Sequence, residues 1–517
     1  MRGSGFFAGV GYRLKKFFEP IDLTKGSCWR VIVKFTLPIV VSYVLQQLYV
    51  LSDAAICGQN LSADEVAGVN DTSSLVFIFM QFAFGCTAGF CVIISNRIGS
   101  GDKRGMRRSF ATQIVLCSVI TLVLTALALS CIRPMLGWVN VTPQNAEVYR
   151  AAYTYCFVIY AGIFAQLFFN FATSVLRSVG DSFTPLLFLF ISTVTNVALD
   201  VLFIKVFRWG VAGAAGATVL TQAVCTIACF AYIFIKYKDF RLGKEDFRIT
   251  RKDVVSHLRQ GLPLGLQFSV LSIGLIVMSA QTVKFDLLPD GTMAAGNPAQ
   301  NGTGAANKLI CFIMCPLSAL GTALVSYNAQ NLGANAPDRV RKGTDQSLLI
   351  MLVLYAVCSG VGLLMSVGGF YQRIFLSADK ISAQSIRYGN DLLFVDLPLF
   401  FILGALFVLR NGIQGIGKSV WTLAAGVGEL VARVVICAFL PALVNGGGVN
   451  ASASNAAFVA LCFGDPGAWL IAVLVLVYPY WKYVRKMNYG AQLRTFRFQE
   501  EEGRYPNEES GDDRLIG

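Results

Sequence analysis

Thr184-Pro-Leu-Leu-Phe-Leu-Phe-Ile-Ser-Thr-Val-Thr-Asn196-Val-Ala-Leu-Asp200-Val-Leu-Phe-Ile-Lys-Val206 is an apolar run of membrane length with a carboxylate inside it. Asp200 follows Asn196 by one helical turn, and residues i and i+4 stack on one helix face. A carboxylate at bilayer depth costs about 2.5–3.5 kcal/mol on insertion scales and is seldom there without a task. A second acid, Asp53, interrupts another apolar stretch, 31–56. Two such acids on separate stretches suggest an ion or proton site.

Of the 517 residues, 55% are hydrophobic and only 14% charged. Soluble domains carry about 25% charged residues, so the composition indicates an all-α polytopic membrane protein. Twelve apolar runs are long enough to span, near 31–56, 66–95, 109–131, 148–176, 184–206, 211–236, 256–283, 305–331, 344–367, 387–409, 419–443 and 467–484. The first run is too long for a cleavable signal and lacks a small-residue cleavage site. The net charge of +13 follows membrane topology and predicts no nucleic-acid partner. Most Lys and Arg fall on one side of the twelve spans, as in Arg97, Lys103, Arg104, Arg107, Arg108, Arg339, Arg341 and Lys342. The positive-inside rule then puts both termini in the cytoplasm of a plasma (inner) membrane protein. The 14 cysteines lie mostly within apolar runs and read as small buried hydrophobes.

The chain repeats itself. Arg97-Ile-Gly99-Ser-Gly-Asp-Lys-Arg-Gly-Met-Arg107 has a counterpart in Asn331-Leu-Gly333-Ala-Asn-Ala-Pro-Asp-Arg-Val-Arg341. Leu37-Pro38 opens the first half and Leu262-Pro263 the second. Leu176-Arg-Ser-Val-Gly180-Asp-Ser182 is echoed by Ile413-Gln-Gly-Ile-Gly417-Lys-Ser419. Six spans per repeat give both halves one orientation, so two six-helix lobes are expected about a pseudo-two-fold axis along the membrane normal. The expected divisions are a cytoplasmic segment 1–30, an N-lobe 31–236, a linker 237–255, a C-lobe 256–486 and a polar tail 487–517. Phe6–Phe18 is expected on the inner leaflet, and Glu245–Leu258 as an amphipathic segment. Gly- and Asn-rich outer loops are expected at 284–304 and 444–466.

Depth tests whether the two acids meet. Their helices both run outward, and at about 1.5 Å per residue both acids fall in the outer half of the bilayer. Thr218, descending on the sixth span, reaches a similar level. Asp53, Asn196, Asp200 and Thr218 would offer Na⁺ a set of hard oxygens. Alternatively, two close acids raise one pKa, which suits proton carriage. Asp53 could instead cap a helix end, Asn196 could be a helix–helix hydrogen bond, and Thr218 could serve close packing. Gln46, Gln47, Gln166 and Asn170, set among aromatics, are candidates to line a substrate cleft. In the second half Asp396, Glu429 and Arg433 stand out, with Glu429 and Arg433 spaced to pair. Arg177, Asp181 and Arg410 are placed at the cytoplasmic boundary, and His257 at the membrane interface. No nucleotide-binding motif, catalytic triad or metal cluster appears, so no enzyme and no cofactor is expected.

These motifs, in this order across two halves, resemble the multidrug and toxic compound extrusion (MATE) family. The resemblance runs over residues 30–486 and implies a V-shaped antiporter that exports cationic amphiphiles in exchange for Na⁺ or H⁺ by alternating access. Its DinF-like branch implies an N-lobe cation site at Asp53, Asn196, Asp200 and Thr218. The NorM-like branch, with acids in the C-lobe, matches less well. Met278 stands opposite Asp53, and Arg433 and Cys437 stand opposite Asn196 and Asp200; Asp396 and Glu429 lie off register. Small organic cations and membrane lipids are the expected partners of a monomer. A lipid-linked saccharide flippase is the competing reading, and a channel or scaffold a third.

Overall fold

The computed structural model describes residues 19–139 and 141–486. The surface segment expected at Phe6–Phe18 and the tail 487–517 lie outside the described residues. Twelve spans follow in the expected order. They are α1 (Cys28–Asn60), α2 (Ala63–Gly99), α3 (Lys103–Trp138), α4 (Ala146–Ala161 with Ile163–Ser178), α5 (Phe183–Val206) and α6 (Gly210–Lys236). The second half supplies α7 (Arg251–Lys284), α8 (Pro298–Ile313 with Cys315–Gly333), α9 (Pro337–Phe375), α10 (Ala383–Gly415), α11 (Ser419–Asn445) and α12 (Asn455–Arg485). No strand occurs among the described residues. Hydrocarbon offers no partner to a backbone N–H, so spanning segments close their hydrogen bonds within themselves. Leu122, Leu364 and Leu443, each at least 70% exposed, belong to the apolar belt this leaves outside.

The two bent spans have local causes. α4 turns by 45° at Gly162, where a Cβ would meet the Val219 side chain at 2.3 Å. α8 turns by 43° just before Pro316, whose ring removes a donor from the helix ladder.

Two expectations about loops need correction. Helix resumes at Pro298 and Asn455, so the outer loops are shorter than 284–304 and 444–466. The Asn-rich and Ala-rich residues that read as loop are the first turns of α8 and α12. The segment Glu245–Leu258 divides between two helical elements. A 3-10 turn (Lys244–Phe247) precedes α7, whose start is capped by Thr250 and Asp253. Ion pairs Arg107–Asp246 at 3.4 Å and Lys103–Asp239 at 3.0 Å hold this connector along α3.

The two halves are joined through their first helices. Near the described termini α1 gives Ile32, Phe35 and Ile39 to the core of the second half. Farther along, its Cys57 packs with Ile204 and Ala214 of the first half. α7 does the converse: Val254 and Leu258 pack on the first core, and Met278, with Phe285 just past the end of the helix, enters the second. On the side of the termini the halves touch through repeat-related residues. A Cβ on Gly99 would lie 1.9 Å from the Gln330 carbonyl oxygen, and one on Gly333 would lie 2.0 Å from that of Asn96. Gly101 and Asn335, also repeat partners, both adopt positive φ in the turns that follow. Such reciprocal contacts are what a two-fold relation requires.

The Gly99 contact makes a prediction. Gly99→Ala must open the helix ends by roughly 1.5 Å to restore ordinary 3.4 Å contact, because a backbone carbonyl cannot swing aside. Spin-label distances between the ends of α2 and α8 should lengthen by that order. Gly360→Ala, whose Cβ meets nothing within 4 Å, should leave them unchanged.

Candidate functional site: a buried carboxyl pair in the first half

Asp53 does not cap a helix end, since α1 continues to Asn60. Asp200 sits where α5 passes from α-helix into a π-helical turn, Val201–Val206. Such turns widen the backbone and often mark functional positions. Together these elements bring the four sequence-selected residues to one place. Asn196 and Asp200 have no solvent exposure at all. Asn196 Nδ2 lies 3.5 Å from Thr218 Oγ1 on α6, and the Tyr49 hydroxyl of α1 reaches the same oxygen at 3.2 Å. The carboxyl groups of Asp53 and Asp200 are near enough to interact electrostatically.

The chemistry follows from what these oxygens lack. Asp53 Oδ1, Asn196 Oδ1 and both carboxyl oxygens of Asp200 are buried with no hydrogen-bond donor. Ionised carboxylates only accept, so two of them can bond only through a shared proton or across a cation. A buried charge left unpaired is costly. This cluster of acceptors therefore fits a proton or a small hard cation. Tyr49 was missed as a site residue because the sequence offers it only as one aromatic among many.

The weaker candidates sort differently. Gln46, Gln47, Gln166 and Asn170 are exposed or half-buried, and their amides make no side-chain hydrogen bond to a described residue. Arg410 is buried and donates to Glu429 Oε2 at 2.5 Å. The expected Glu429–Arg433 pair forms at 3.3 Å, and Arg433 Nε also donates to Asp465 Oδ1 at 2.8 Å. Asp465 escaped notice because Gly464-Asp-Pro-Gly467 reads as loop, whereas here it lies within α12. His257 is buried near the start of α7. Its Nε2 pairs with Ser109 Oγ at 2.7 Å and its Nδ1 with the Asp253 carbonyl at 2.7 Å. Asp181 forms a buried turn contact, accepting from Tyr237 at 2.7 Å.

A duplicated twelve-helix bundle with acids buried in its membrane-spanning part defines a multi-pass membrane transport protein. Residues 38–202 and 296–439 match the MatE family model, more than half of the chain, and the chain belongs to the MATE family of transporters. It is similar to the probable multidrug resistance protein YpnP of Bacillus subtilis, 29% identical over 323 residues, 62% of this chain and 68% of that protein. YoeA of the same organism, also a probable multidrug resistance protein, is 25% identical over 477 residues, 91% of this chain and 97% of that one. The fold matches that of a solved outward-facing multidrug resistance MATE transporter with a TM-score of 0.76 at 19% identity, over 92% of this chain and 100% of that one. Members of this family are transporters and not enzymes.

Proposed function

We propose that the chain exports amphiphilic organic cations in exchange for Na⁺ or H⁺, with the coupling ion held by Asp53, Asn196, Asp200 and Thr218. The observation that carries this reading is the pairing of Asp53 with Asp200 and the buried donorless oxygens of Asp53, Asn196 and Asp200 on two helices, α1 and α5. A cation that draws α1 toward α5 and α6 would move the helix that also packs on the second core, and so couple the ion site to the seal between the halves. The names of the relatives support drug export as the physiological direction. The distribution of basic residues supports cytoplasmic termini in a plasma membrane protein. The lobes then correspond to residues 31–236 and 256–486, and the acids favour the DinF-like branch. Gln46, Gln47, Gln166 and Asn170 would meet the substrate.

The test is efflux of a fluorescent cation from vesicles holding the purified protein, with a Na⁺ or a proton gradient imposed separately. Efflux should follow one of the two gradients and stop when it is collapsed. Flux that persists equally without any gradient would make the protein a pore. Tyr49→Phe removes a hydroxyl at 3.2 Å from Thr218. A net hydrogen bond contributes about 0.5–1.5 kcal/mol, so the ion concentration for half-maximal efflux should rise by roughly 2- to 10-fold.

A further inference from the structure

The second half contains the counterpart of the cation site, and a side chain stands where the ion would be. Matching Leu37-Pro38 with Leu262-Pro263 sets Gly274 opposite Tyr49 and Met278 opposite Asp53. Matching Gly180 with Gly417 sets Arg433 opposite Asn196 and Cys437 opposite Asp200. The packing respects that correspondence. Gly274 of α7 faces Arg433, where a Cβ would lie 2.7 Å from Nη1; Gly464 of α12 faces Cys437 at 2.3 Å. Tyr49 likewise faces the Asn196 and Thr218 pair in the first half. A tyrosine at position 274 would collide with the guanidinium, so the absence of a side chain there is what admits it.

Arg433 is 3% exposed and is held by Asp465 at 2.7 Å and Glu429 at 3.3 Å. Asp396 of α10, 1% exposed, lies within electrostatic range of Arg433 and Asp465 and has a buried Oδ1 without a partner. Acids therefore surround this position as they do the first-half site, but the positive charge is covalently attached. An arginine keeps that charge at every physiological pH. The geometry points to Arg433 as a tethered cation that permanently fills the second-half counterpart of the coupling site, so that each cycle carries its coupling cation through the first half alone.

This inference rests on the proposed role of Asp53 and Asp200, and its test separates the two. The parent protein in detergent should bind one ²²Na⁺ per chain; if it binds none, proton uptake is followed instead with a pH-indicator dye. Asp200→Asn should abolish that binding. Arg433→Gln leaves Asp396 and Asp465 facing each other without their guanidinium, and should add a second binding event that survives Asp200→Asn. Arg433→Lys keeps a tethered charge and should bind like the parent. Two events in the parent, one of them surviving Asp200→Asn, would overturn the tethered cation. A folded Arg433→Gln protein with no added event would do the same. Should Arg433→Gln fail to fold, the parent count and the Asp200→Asn protein still decide. A single event that survives Asp200→Asn would instead remove the first-half site.

Discussion

Asp200→Asn is expected to reduce gradient-driven efflux to the level of vesicles without protein, while the variant remains folded. In the proposed cycle, the carboxyl pair changes its net charge when it takes up or releases a cation. An asparagine at 200 carries no charge, and its amide can donate to Asp53 Oδ1, an acceptor that lacks a donor in the parent. The variant therefore imitates the state in which the pair has already gained a proton, and it holds that state throughout. A cycle driven by loading and unloading of the ion then has nothing to load. Asp200→Glu keeps the charge but adds a methylene where no exposure remains, and should retain partial, gradient-dependent transport. The measurement is dye efflux at matched protein density, with both variants checked for monodispersity. Normal, gradient-dependent efflux by Asp200→Asn would end the coupling role of this site.

Much of this site is legible in the sequence because membrane depth is a strong constraint. Asp53, Asn196, Asp200 and Thr218 are separated by long stretches of chain, yet the direction of each span and a fixed rise per residue bring them to one level. The structure adds lateral placement: Thr218 is seen to contact both Tyr49 and Asn196. What hydropathy could not supply was the rest of the second-half cluster, Asp465 and the contact of Arg410 with Glu429. Asp465 lies beside Gly464, Pro466 and Gly467, residues that punctuate loops in soluble sequences but are tolerated within a membrane helix packed by neighbours. Arg410 stands three residues before Ile413-Gln-Gly-Ile-Gly417, so its position in the chain suggested a boundary. Its partner Glu429 lies on another helix, and only the fold brings α10 and α11 together there. The crossing of α1 and α7 between the two cores was equally out of reach, because apolar composition says which residues are buried and not against which neighbour.

Glu429→Ala should have the largest effect on stability. Both of its oxygens are committed, Oε2 to Arg410 at 2.5 Å and Oε1 to Arg433 at 3.3 Å, and all three residues are buried. Removing one member of a buried ion pair costs about 3–5 kcal/mol, because the remaining charge stays desolvated without a partner. Arg433 would keep Asp465, but Arg410 has no second ion pair among the described residues. In a thermal-shift experiment in detergent the midpoint should fall on the order of 5–10 °C. Replacing Arg410 and Glu429 together by methionine should recover most of that loss, since a buried pair exchanged for apolar groups of similar volume is often neutral. If Glu429→Ala melts with the parent, these contacts contribute nothing to the fold. The contrast with Asp200 is itself discriminating. Both variants delete a buried acid at bilayer depth, but Asp200 has no fixed partner to strand and Glu429 has two. Asp200→Asn should therefore leave the melting midpoint near that of the parent and remove coupling, whereas Glu429→Ala should lower the midpoint and leave any residual transport coupled to the same gradient.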